Sequence, residues 1–185
     1  MKSLFLVLIS VVIAQGCVPT SDKQSNIDLY FDMATFIQGQ VKKLEALNPV
    51  VKKKGQVGEQ QSNLVEQKIE DWSKELKPFE ETNINKPILQ GAYEVKKEHK
   101  GGVDITTYES KENSANVQKL VIHEQNEEVQ FIEIQTQTTN QLYQDIKTLT
   151  MYIEKGMVKK YGIDGLKQLA TGSPHQYHII GEISL

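Results

Sequence analysis

Arginine is missing from this chain: all 21 basic residues among its 185 are lysine. Without a guanidinium there is no planar fork for bidentate capture of a carboxylate or phosphate, so active sites built on arginine are excluded. Cysteine occurs once, at Cys17. No internal disulfide can form, and once that sulfur is modified no thiol is left for catalysis. Histidine is scarce, at His99, His123, His175 and His178. In an extended strand the three-residue spacing of His175 and His178 puts them on opposite faces. With no HExxH, no cysteine pair and no Asp-rich calcium loop, neither a metal nor another cofactor is expected. The GxSxG elbow and the phosphate-binding loop are missing too; Gly55-Gln56-Val57-Gly58 runs on into Glu59-Gln60-Gln61, without the lysine and hydroxyl. Glu80-Glu81 and Glu127-Glu128 read as helix-end or turn residues, whereas a glycosidase needs carboxylates opposed across a cleft. The expectation is a protein that is not an enzyme. The alternative, an unrecognised hydrolase, requires clustered carboxylates or histidines with perturbed pKa values in a cleft. A basic excess is also lacking, the net charge being −3, so no nucleic-acid partner is expected.

What is present begins with the first seventeen residues. Lys2 is a short positive start, and Leu4 to Ala14 is apolar apart from Ser10. As a helix this core spans roughly 16 Å, too short for a bilayer interior of about 30 Å. A charged start, a short apolar core and then small residues form the pattern of a secretory signal peptide. Cys17, directly after Ala14-Gln15-Gly16, resembles the lipobox cysteine of bacterial lipoproteins, which is lipidated and becomes the first mature residue. The usual box has Leu three residues before the cysteine and Ala or Ser two before, where this chain has Ala14 and Gln15. Ala14 and Gly16 also suit an ordinary signal peptidase, which would leave an exported chain with a free thiol. The lipid reading divides the chain into a signal peptide at 1–16, a flexible polar tether at 17–26 and one periplasmic domain at 27–185. One acyl chain holds weakly and two or more anchor stably, at about 0.8 kcal/mol per buried methylene. Val18, in the place where Asp marks inner-membrane retention in enteric bacteria, points to the outer membrane, facing the periplasm.

Along the domain, Ile27, Tyr30, Ala34, Ile37, Val41 and Leu44 recur at helical spacing. They predict a long helix from Ile27 to Leu47, with Ser25 as N-cap and Asn48-Pro49 as its end. Val50 to Glu66 reads as a loose hairpin around Gly55 and Gly58. Its run Lys52-Lys53-Lys54 fits either a solvated strand edge or anionic headgroups. Ile69, Trp72, Leu76 and Phe79 mark a short helix stopping before Pro78, with Trp72 read as a core anchor or a ligand platform. Ile84, Ile88 and Leu89 are expected to peg the following connection into the core. From Gly91 the period becomes two, with strands about Tyr93–Val95, Val103–Thr107, Val117–Glu124, Val129–Thr136, Ile146–Glu154, Met157–Ile163 and Gln176–Ile183. The fold class expected is α+β, with the long N-terminal helix and the short second helix packed on a curved antiparallel meander. One sheet face should be wet and carry Glu133, Gln135, Gln137, Thr138, Thr139, Thr148 and Thr150. It is either a binding surface or a plain solvated face.

The runs Asp71-Trp72-Ser73-Lys74-Glu75-Leu76-Lys77-Pro78-Phe79 and Asn83-Ile84-Asn85-Lys86-Pro87, with Leu149-Thr150-Met151-Tyr152 before Gly156, resemble small uncharacterised lipoproteins of Bacteroidetes-type bacteria. The resemblance implies an envelope location and carries over no catalytic residues. Two functional expectations follow. The first is a non-enzymatic envelope lipoprotein, held to the membrane through lipid on Cys17, that binds an unidentified envelope protein or serves as an accessory subunit. The second is a carrier or sensor of an apolar ligand held between sheet and helix, which requires an open apolar cavity.

Overall fold

Period two governs far more of this chain than the helical period does. The computed structural model describes residues 29–58 and 60–184. The segments read as signal peptide and tether, with Cys17 and Ser25, lie outside the described residues. The elements are α1 (Met33–Leu47), β1 (Val50–Val57), β2 (Gln60–Gln61), β3 (Val65–Lys68), α2 (Trp72–Glu80), a 3-10 turn (Pro87–Leu89), β4 (Tyr93–Lys100), β5 (Val103–Ser110), β6 (Val117–Gln125), β7 (Glu128–Thr139), β8 (Tyr143–Glu154), β9 (Met157–Leu169) and β10 (His175–Ser184). The strands form one antiparallel sheet in the order β2-β1-β10-β9-β8-β7-β6-β5-β4, with β3 paired to β1.

The α+β expectation is therefore corrected: the described residues form a β-rich fold of ten strands and two short helices. Among the described residues the first helix is short, Met33–Leu47, in place of the long helix expected from Ile27 to Leu47. α1 starts at Met33 because Asp32 is the cap, its Oδ1 accepting from Thr35 N at 3.1 Å. Nor does α1 pack mainly on the sheet; its chief neighbour is α2, and it meets the sheet along β9. Pro78 lies inside α2 rather than ending it; in so short a helix it removes a single bond, to the carbonyl of Lys74. β1 also escapes a purely local reading, since it pairs along its whole length with β10 at the far end of the chain.

Three two-residue turns, Gly101-Gly102, Asn126-Glu127 and Lys155-Gly156, have positive φ at both positions. That suits the primed turns matching strand twist. They mark one end of the sheet, called distal here. The opposite, proximal end carries the longer connections 83–92, 111–116, 140–142 and 170–174. The chain joins the domain at this proximal end. Asn85 Oδ1 accepts from Leu29 N and Tyr30 N at 3.1 and 3.2 Å, and the Tyr30 hydroxyl donates to Leu89 O at 3.1 Å, just before β4.

One face of the sheet is the core face. Gly181, Tyr161, Met151, Ile132, Ile122 and Thr106 stand side by side across β10 to β5, with Ile163, Leu149, Ile134, Leu120 and Tyr108 in the next row. The helices cover this face with Met33, Ile37, Leu44, Trp72, Leu76 and Phe79, all 0–2% exposed. Gln40, also buried, clamps the β8–β9 hairpin: its Oε1 accepts from Val158 N at 3.0 Å and its Nε2 donates to Gly156 O at 3.2 Å. Glu75 of α2 ties the helix to the sheet by accepting from Lys53 Nζ at 2.7 Å and from the Tyr161 hydroxyl. Burial, then Glu75, holds the Tyr161 phenol far above its ordinary range.

Candidate functional site

Strand alternation puts the polar half of β7 and β8 on the outer face. Ile132, Ile134, Leu149 and Met151 point into the core. Glu133, Gln135, Gln137, Thr139, Thr148 and Thr150 therefore face outward, while Thr138 shares the inward side with Thr136. Across this outer face one row reads Gln56, His178, Asp164, Thr148, Gln135, Lys119 and Glu109, each paired with the next on the neighbouring strand.

A hollow of about 350 Å³ opens at the β1 side of this row, lined by Gln56, Thr148, Asp164, Gln176 and His178, with Ile146 and Leu166 beside them. His178 Nδ1 contacts Asp164 Oδ1 across the β9–β10 ladder, which leaves Nε2 free to face a ligand. Gln56 donates its Nε2 to Gly58 O at 2.9 Å, so its amide oxygen remains as an acceptor. Thr148 pairs with Asp164, one strand further from His178. Two strand spacings come to roughly 10 Å, beyond the reach of an imidazole acting as base on that hydroxyl. The hollow can hydrogen-bond a polar group, and His178 and Thr148 stand too far apart to act as a base and nucleophile pair. His178 and Asp164 are 40% and 57% exposed at their side chains, so solvent weakens their mutual attraction.

Beyond the hollow, three aromatic rings stand in a row on the same face. His123 stands against Phe131 with ring centroids 5.2 Å apart, and Phe131 against Tyr152 at 4.9 Å. Ile105 extends the row across β5. Tyr152 is half exposed, so the row offers an apolar strip within a polar face.

Several residues singled out from sequence fall elsewhere. His175 and His178 do face opposite ways along β10, and His99 pairs with Asp104 on the exposed β4–β5 hairpin at 2.6 Å. Among the described residues no group of three His, Cys, Asp or Glu side chains could hold a metal ion. Lys53 is held by Glu75 in a partly buried pair, while Lys52 meets Glu66 at 3.3 Å in a solvent-exposed one. Trp72 is buried, a core anchor and no platform. Ile88, expected as a core peg, is 89% exposed; Ile84 is buried and Leu89 packs partly against the core. Cys17 lies outside the described residues. Among the described residues no helix is long and apolar enough to cross a membrane. Gln56, Asp164 and Gln176 carried no motif; only the register of β1 and β9 on β10 brings them to His178.

No family model matches the chain, and neither a curated protein nor a solved structure matches it.

Proposed function

We propose that this protein is a non-enzymatic lipoprotein of the bacterial cell envelope, held by lipid on Cys17, whose β-rich domain binds another envelope protein as an accessory subunit. The outer membrane, facing the periplasm, is the location this reading favours, as Val18 after the cysteine suggests. The observation that carries the protein-binding half is the filled space between helices and sheet. Trp72, Tyr161, Phe79, Met33 and Ile37 occupy it almost without exposure. A carrier would keep that space open as an apolar cavity of several hundred Å³. The outer face, with its aromatic strip and neighbouring polar hollow, instead has the mixed character of an interface core and rim.

A second reading rests on one feature. Beyond the reach of the helices, Gly55, Val57, Tyr177 and Ile179 line an open groove of about 430 Å³ on the inner face. It would suit a small lipidic ligand. A photo-crosslinking residue placed at Tyr152 in living cells separates the two readings. One reproducible protein adduct, lost when Phe131→Asp disrupts the strip, supports the accessory subunit. No adduct at Tyr152, together with a stoichiometric lipid in the purified chain that is lost in Val57→Asp, supports the carrier.

A further inference from the structure

We propose that the proximal end of the domain lies against the bilayer that holds the Cys17 lipid, with Ile88 and Leu142 touching its surface; this rests on the lipid-anchor reading above. Ile88 and Leu142, at 89% and 73%, are the most exposed large hydrophobic residues among those described. They lie at the same end of the sheet, one in the connection leading into β4 and the other between β7 and β8. Val57 and Leu169, both exposed, end their strands there too, while Leu47, at 55%, is the exposed aliphatic at the distal end. Single exposed aliphatics are ordinary, but tips of this kind gathered at one end mark a contact surface.

Both tips are held out by built turns. Ile88 sits in the proline-led 3-10 turn, where Leu89 N donates to Lys86 O at 2.9 Å and Gln90 N to Pro87 O at 3.2 Å. Leu142 sits in a turn closed by Asn140, whose Oδ1 accepts from Leu142 N at 2.8 Å and Tyr143 N at 3.0 Å.

Reach decides the orientation. Leu29, where the described chain begins at the proximal end, is twelve residues on from Cys17, a span of at most about 40 Å when fully extended. β8 has 12 residues and is itself about 40 Å long. Setting the distal end on the bilayer would need the linking segment drawn out along the full length of the strands. Setting the proximal end there needs no extension.

The test uses the full acylated chain in vesicles of phosphatidylethanolamine and phosphatidylglycerol. With Cys17 acylated, a cysteine at Ile88→Cys, Leu142→Cys or the distal Glu154→Cys is the sole thiol and takes an environment-sensitive fluorophore. Quenching by lipids spin-labelled near the headgroup should be at least about threefold stronger at the first two positions than at the third, as for side chains at the interface. Equal quenching at all three, or strongest at Glu154→Cys, overturns the orientation while leaving the anchor standing. An intact mass of the same samples without acyl chains overturns the anchor, and the orientation with it.

Discussion

Trp72 Nε1 lies in the core with no hydrogen-bond partner among the described residues. An unpaired buried N–H costs about 1–3 kcal/mol, so the indole is retained for its bulk and not for its polarity. Trp72→Ala should destabilise the domain by about 3–5 kcal/mol, the usual cost of emptying a large aromatic site. Trp72→Phe should fall within about 1 kcal/mol of the parent, because losing the orphan N–H offsets the smaller ring. Urea denaturation of both variants checks this; a Phe variant as unstable as the Ala variant would mean that the indole nitrogen is bonded. A residue-level reading of the sequence could identify Trp72 as core because it shares a helical face with Leu76 and Phe79. It could not do the same for Ile88. An aliphatic residue after proline looks like a core peg until the 3-10 turn is seen to rotate it outward.

Among the elements, β9 and β10 are locked by two tyrosine-over-glycine pairs. The Tyr161 ring lies over Gly181 and the Tyr177 ring over Gly165, and a Cβ at either glycine would fall inside the ring above it. Gly181→Ala should cost about 2–3 kcal/mol, at the upper end for overpacking, because Tyr161 is buried and bonded to Glu75. Gly165→Ala should cost less, since Tyr177 is only half-buried and can swing outward. Thermal denaturation of the two variants gives the order, and a reversed order would contradict this picture of the pair. The strands from Tyr93 onward were legible because their alternation is local and their turns carry Gly or Asn at positive φ. The balance of the fold was not. Helical spacing around Ile27 to Leu47 suggested a long helix packed on a meander, yet the cap at Asp32 shortens it and α2 takes most of its contacts. β1 looked like half of an isolated hairpin because its main partner, β10, is some 120 residues away, a pairing no local pattern announces.

Taken as a whole, the molecule should be stable at neutral pH and weaken in alkali. Burial raises the pKa of Tyr93, Tyr108, Tyr161 and Tyr177, the last to about 12 with help from Asp145. Each phenol stays protonated in the fold while the unfolded chain ionises near pH 10, so stability falls once the pH passes about 10 and keeps falling towards the folded values. Lys96, whose pKa Glu109 raises, pulls in the same direction. The urea midpoint should drop between about pH 9 and about pH 11, and drop less in the Tyr161→Phe, Tyr177→Phe double variant; an equal drop would assign the effect to other groups. The candidate site was legible only as a wet strand face, because the hollow beside His178 depends on register across three strands. The proposed lipid anchor is the reverse case, read locally around Cys17 and independent of the fold. Its most direct test is the intact mass of the chain extracted from membranes of its native host. The account predicts a mature chain beginning at Cys17 and heavier by its acyl groups; an unmodified chain, or one still carrying Met1 to Gly16, would contradict it.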